Sequence, residues 1–200
     1  MIDRTRVLAL DAQSGRPRFD HELLDSGGPA AADGERVYVM DGGTLKAISA
    51  NGQMAWSRRV GALFKTRPAA DGGRVYIAST EGQIDAIDAA SGEVNWTYSV
   101  NGWPMATPLA DGQRVMVGAN DGRLRALDAF NGHMLWTADL HAAVWGEMAL
   151  ATHGGERIVL APTQQPSLAA VDAETGALRW EYPLSDWPAS PASDRPSLSV

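Results

Sequence analysis

Two hundred residues without a cysteine, with 24 acidic and 17 basic side chains and a formal charge of −7, suit one unit that buries its core without disulfides or thiolate metal sites. Fifteen of the basic residues are arginines scattered along the chain, with no basic stripe between aromatics, which excludes a nucleic-acid partner. No apolar run is long enough to span a bilayer, and the opening MIDRTRVLALDAQSG lacks the apolar centre of a secretory signal.

In chain order, residues 5–22 read as a strand, a turn and a second strand, with LALDAQSGRPRF (8–19) at their centre. PAAADGERVYVM (29–40) follows, a short run of small residues, a DG turn and an alternating β-branched strand, and LKAISANGQMAW (45–56) then repeats the first phrase. The pair returns as RPAADGGRVYIA (67–78) with IDAIDAASGEVNW (84–96), and as TPLADGQRVMVG (107–118) with GRLRALDAFNGHMLW (122–136). A looser copy, MALATHGGERIVLA (148–161), precedes LAAVDAETGALRW (168–180). The turn glycines Gly15, Gly52, Gly92, Gly132 and Gly176 stand 37, 40, 40 and 44 residues apart, each followed four residues later by Phe19, Trp56, Trp96, Trp136 or Trp180.

Each period holds four short strands in about forty residues, the length of a propeller blade. Within it, Asp11, Asp88, Asp128 and Asp172 are placed to accept turn amides, which makes them structural despite their resemblance to a carboxylate array. The glycine supplies the positive φ of the hairpin, and the aromatic ring packs between successive sheets. Copy two has Ser49 in place of Asp, and copy five carries an insertion, PTQQPS (162–167), expected as a longer loop. The close pairs Arg58/Arg59 and Arg123/Arg125 are expected on solvated strand faces.

The phrase Ala-x-Asp-Ala-x-Ser/Thr-Gly-x-x-x-Trp after a Gly-x-Leu strand resembles the tryptophan-docking repeat of the PQQ-like β-propeller family, which spans quinoprotein dehydrogenases, BamB-like scaffolds and kinase-attached sensors. The resemblance covers essentially the whole chain and implies an all-β β-propeller of four-stranded antiparallel blades. A half blade (5–22), blades near 28–60, 64–100, 105–140 and 147–184, and a half blade (188–200) make one domain over 1–200. Two arrangements are open: 188–200 pairs with 5–22 to close a five-bladed ring, or the chain is part of a seven- or eight-bladed one. The resemblance further implies an extracytoplasmic, periplasmic setting, although no signal peptide is visible.

The resemblance implies PQQ over Ca²⁺ if the chain is an enzyme. The vicinal cysteine pair and haem motif of such enzymes are absent, and no calcium-ligand set can be assigned. His21, His133, His141 and His153 show no metal-ligand spacing, and no nucleophile elbow occurs. The expectation is a non-enzymatic module without catalytic residues, cofactor or metal, docking other proteins by rim loops or exposed strands. A quinoprotein dehydrogenase fragment and a ligand-sensing ectodomain are the alternatives. A second aromatic set, Phe64, Trp103, Trp145 and Trp187, precedes the first strand of each period, either packing under the connection or lining a channel mouth with Arg67 and Glu147.

Overall fold

The computed structural model describes residues 2–3, 6–23, 30–60 and 66–184. Sheet I is formed by β1 (Ile2–Asp3), β2 (Arg6–Leu10) and β3 (Pro17–Glu22). Sheet II contains β4 (Ala30–Ala32), β5 (Arg36–Asp41), β6 (Thr44–Ser49) and β7 (Met54–Arg59). In sheet III, β8 (Ala69–Asp71), β9 (Arg74–Ala78), β10 (Gln83–Asp88) and β11 (Val94–Ser99) follow the same order. Sheet IV repeats it with β13 (Leu109–Ala110), β14 (Arg114–Gly118), β15 (Arg123–Asp128) and β16 (Met134–Asp139). Sheet V comprises β18 (Ala149–His153), β19 (Glu156–Thr163), β20 (Ser167–Asp172) and β21 (Leu178–Pro183). A two-stranded parallel pair, β12 (Ala106–Thr107) with β17 (Gly146–Glu147), ties the entry to sheet IV to the entry to sheet V.

Within each sheet the strands meander antiparallel, and the last hairpin always shifts register at the same place. The shifts fall between Ala9 and Leu10, Ala47 and Ile48, Ala86 and Ile87, Ala126 and Leu127, and Ala170 and Val171. Phe19, Trp56, Trp96, Trp136 and Trp180 each lie opposite the alanine of this pair. A methyl group across the strand leaves the ring free to lie towards the next sheet. There it covers the turn glycine: a Cβ on Gly92 would stand 2.8 Å from Trp56 Cδ2, on Gly132 2.7 Å from Trp96 Cδ2, and on Gly176 2.7 Å from Trp136 Cε3. Phe19 covers Gly52 in the same way. The indole N–H groups of Trp56, Trp96 and Trp136 donate to the carbonyls of Ala89, Ala129 and Ala173 at 2.9, 3.1 and 3.1 Å.

The turns are held by carboxylates. Asp88 Oδ1 accepts from the N–H groups of Ala90 and Ser91 and from the Ser91 hydroxyl, and Asp11, Asp128 and Asp172 accept turn amides likewise. The backbone N–H of Ser91 contributes most to holding the Asp88 carboxyl below its usual range, as that of Ser14 does for Asp11. For Asp172 the Arg179 guanidinium contributes most.

The expected β-propeller does not form: the described residues make an all-β domain of six small, unclosed sheets. Four apolar clusters hold it together, and each joins only consecutive sheets. Val7 and Leu23 meet Val39 and Ile48 (sheets I and II), while Tyr38 and Leu45 meet Val75 and Ile87 (II and III). Ile84 and Trp96 meet Val117 and Leu127 (III and IV), and Leu124 and Trp136 meet Val159 and Val171 (IV and V). Among the described residues no cluster or strand pair joins sheet V to sheet I, and every residue of β21 is exposed. A ring requires that face to be buried. The proposed closing half blade, 188–200, lies outside the described residues.

Two local expectations also change. Pro162, Thr163 and Ser167 belong to β19 and β20, so the insertion lengthens a hairpin instead of a loop. Arg125 is 6% exposed and pairs with Asp121, where a solvated face was expected.

Candidate functional site

Trp103 and Trp145 stand just ahead of the two strands of the β12–β17 pair, three residues before Ala106 and one before Gly146. Their backbones are fixed from several sides. The Trp103 N–H donates to the Asn120 side-chain oxygen at 2.7 Å, and the Trp103 carbonyl accepts from the Asn120 N–H at 2.9 Å. The Trp145 N–H donates to the Pro162 carbonyl at 3.0 Å, and the Gly146 N–H donates to that of Met105 at 3.2 Å. Pro162 in β19 thus pins Trp145, as Gly118 in β14 holds the Met105 N–H at 3.3 Å. Val144 beside it is fully buried, with its Cβ 2.6 Å from where a Gly118 Cβ would stand, so only glycine admits this approach.

Although their backbones are anchored, the rings are not covered: Trp103 is 60% exposed and Trp145 50%. They line a cavity of about 520 Å³. Pro104 and Met105 extend its apolar wall, Thr66, Thr80 and Thr107 add hydroxyls, and Glu147 supplies the one carboxylate among the described residues that line it. Arg67 Nη2 donates to Glu147 Oε1 at 2.5 Å. Both partners are largely exposed, so the pair contributes at most about 1 kcal/mol to stability. Its chemical value is a cation and an anion held beside an aromatic cavity.

Of the candidate site residues, Arg67, Trp103, Trp145 and Glu147 come together here, while Phe64 and Trp187 lie outside the described residues. The three threonines were not among the sequence candidates. Thr66 stands between Lys65 and Arg67, Thr80 in the turn between β9 and β10, and Thr107 at the end of β12, with no shared signal in the sequence to single them out. Among the described residues no group of three or more His, Cys, Asp or Glu is placed to hold a metal ion. A Ca²⁺-held quinone needs several oxygen donors converging on the ion. Glu147 alone, already engaged by Arg67, does not fit that requirement.

No helix among the described residues is long and apolar enough to cross a membrane. A search of curated proteins yields no significant match. Among solved structures, BamB from Moraxella catarrhalis is similar at 22% identity and a TM-score of 0.68, over 89% of this chain and 67% of that one. Quinohemoprotein alcohol dehydrogenase from Comamonas testosteroni matches at 16% identity and TM-score 0.72, and the enzyme ADHIIG from Pseudomonas putida HK5 at 18% and 0.70. Each match covers 90% of this chain but only 40% and 39% of the enzymes. These likenesses are of fold, and they extend to scaffolds and enzymes alike. The family model described as "Outer membrane protein assembly factor BamB" matches residues 3–77 and 42–195, and the chain therefore belongs to this PQQ-repeat family.

Proposed function

We propose that this domain is a protein-interaction module that accepts an apolar side chain of an extended partner polypeptide between Trp103 and Trp145. One observation carries the reading: two rings with anchored backbones remain half exposed over a cavity of about 520 Å³. Exposed tryptophans fixed in this way lose little entropy on binding, and aromatic anchors dominate interface energetics. Arg67 and Glu147 supply polar groups beside the anchor that fix its direction. The family description supports an extracytoplasmic setting, with partners among proteins bound for the outer membrane.

The test is a titration with an extended peptide of alternating aromatic and polar residues, followed by tryptophan fluorescence and calorimetry. Binding should be lost in Trp103→Ala and Trp145→Ala with unfolding midpoints unchanged. Undiminished binding by both variants overturns the reading.

A second reading, part of a quinoprotein dehydrogenase, is favoured by the higher TM-scores to the alcohol dehydrogenases. It predicts saturable quenching of Trp103 and Trp145 by PQQ in the presence of Ca²⁺, together with dye-linked alcohol oxidation. Glu147, the one carboxylate among the described lining residues and already ion-paired, weighs against it.

A further inference from the structure

The dipeptide Asn-Gly occurs three times, at Asn51-Gly52, Asn101-Gly102 and Asn131-Gly132. Asparagine is thermally labile, most of all before glycine, which has no side chain to keep its backbone nitrogen from the preceding carboxamide carbon. For that nitrogen to attack, its N–H must be free to give up the proton. The carboxamide must also be free to turn towards it. The fold grants both freedoms at one of the three positions.

Two of the pairs sit in docking turns, where both groups are tied. The Gly132 N–H donates to the Asp128 carbonyl at 2.9 Å, the Asn131 side-chain oxygen accepts from the His133 N–H at 2.8 Å, and the Trp96 ring covers the glycine. The Gly52 N–H likewise donates to the Ser49 carbonyl at 2.8 Å, beneath Phe19. The Asn51 side-chain oxygen accepts from the Gln53 N–H at 3.2 Å and from the Ser49 hydroxyl. Asn101 differs on every count. It is exposed, and among the described residues neither its carboxamide nor the Gly102 N–H has a hydrogen-bond partner.

The residues on either side of this free pair are held. The Val100 N–H donates to the Gly82 carbonyl at 2.8 Å, and Trp103 exchanges two hydrogen bonds with Asn120. Gly102 between them has φ +124°, and a Cβ there would collide with the Asn120 side-chain oxygen. Only glycine fits, so no change of neighbour can protect Asn101 without disturbing the anchor of Trp103.

We propose that Asn101 is a site of self-modification that releases the Trp103 ring from its anchor. The Gly102 nitrogen bonds to the Asn101 side-chain carbon; its proton and the amide NH2 leave as ammonia, and a five-membered imide forms. Water then opens the imide and returns a proton to the Gly102 nitrogen. Opening at the side-chain carbonyl gives aspartate. Opening at the main-chain carbonyl gives isoaspartate, in which the backbone runs through the side-chain carbon and is longer by one methylene. Between the fixed Val100 and the Asn120-held Trp103 there is no slack for that carbon, so the bonds to Asn120 part and the ring leaves the cavity wall. The chemistry at Asn101 is independent of the function proposed above; only its effect on partner binding rests on that reading.

The test incubates the folded whole chain at mildly alkaline pH and follows each Asn-Gly peptide by mass spectrometry. Asn101 should exchange amide for acid roughly tenfold or more faster than Asn51 and Asn131, whose glycines must first break their hydrogen bonds in a local opening. In concentrated urea the three rates should converge, since the dipeptide is the same. Ageing should also shift tryptophan emission in the wild type. It should not do so in Trp103→Phe, nor in Asn101→Gln, whose longer side chain closes a ring far more slowly. Freshly made Asn101→Asp has the new charge without the extra methylene and should keep the wild-type emission. Equal rates at the three sites in the folded chain, or an Asn101 that keeps its amide, overturn the modification. A modified chain with unchanged emission overturns the release of Trp103. These readouts involve no partner, so a failed peptide titration counts against the function proposed above and leaves them intact.

Discussion

Replacing Gly132 by alanine isolates the energy of one sheet-to-sheet contact, because the structure contains a matched control. Gly132 has φ +75° and a would-be Cβ 2.7 Å from both Trp96 Cδ2 and Cε3. Gly73 has the same φ, +75°, with nothing within 4 Å of its would-be Cβ. Alanine at either position incurs the left-handed backbone penalty of about 1–2 kcal/mol. Only at Gly132 must the Trp96 ring also move. That ring is 8% exposed, packed in a cluster with Ile84, Val117 and Leu127, and tied by its indole N–H to Ala129. Displacing packed side chains costs about 1–3 kcal/mol, and straining the indole bond adds up to about 1 kcal/mol. Gly132→Ala should therefore be less stable than Gly73→Ala by about 1–4 kcal/mol. Urea unfolding followed by far-UV circular dichroism and tryptophan fluorescence measures both. Combining Gly132→Ala with Trp96→Ala should cost less than the two changes separately, since the clash then has no ring to meet. Equal destabilisation by the two glycine substitutions would refute the ring-on-glycine account.

Trp136→Phe keeps most of the ring but leaves the Ala173 carbonyl without its donor; a loss of about 1 kcal/mol or slightly more is expected, against about 3–5 kcal/mol for Trp136→Ala, in the same urea assay. The fully buried Asp111 carboxylate accepts from Arg157 at 2.9 Å and Arg114 at 3.3 Å, while Arg114 also pairs with Glu174 and Arg157 is partly exposed, so Asp111→Ala should cost about 1–3 kcal/mol. Asp11, Asp88 and Asp172 are held below their usual carboxylate range in the folded state; their stabilisation is complete above the unfolded value and lost as pH falls through the folded ones. The urea midpoint should thus decline below about pH 4, and less steeply in Asp172→Asn, as an acid series will show. A steeper decline in Asp172→Asn contradicts that sign.

What was legible in the sequence is what each repeat decides with its neighbour. The Asp, Gly and Trp of the docking phrase act over one turn and one adjacent sheet, so spacing alone exposes them. Closure is a different kind of property. It depends on whether the two terminal faces meet, and no phrase inside a repeat encodes that, which is why the propeller expectation failed. Arg125 was misjudged for a related reason: alternation places it on a strand face, but Asp121, four residues earlier at the preceding turn, lets that face be buried. PTQQPS reads as a loop because it is an insertion in the repeat, yet Pro162 accepts through its carbonyl from Trp145 and needs no N–H to do so.

The same repeat therefore carries two kinds of tryptophan, separated by whether the next sheet completes them. Trp96 and Trp136 have both their faces and their N–H groups satisfied internally, so their binding energy is already committed to the fold. Trp103 and Trp145 are anchored through backbone hydrogen bonds alone, and substituting their side chains removes almost nothing from the core. In a nearest-neighbour architecture a docking residue changes the coupling of two sheets, whereas a cavity residue changes only what the cavity holds. Hydrogen exchange separates the two directly. Trp136→Ala should weaken protection on both β15 and β20, while Trp103→Ala should leave protection in β14 and β15 as it was. Loss of protection in Trp103→Ala would return that ring to the packing set and remove the cavity's claim to function.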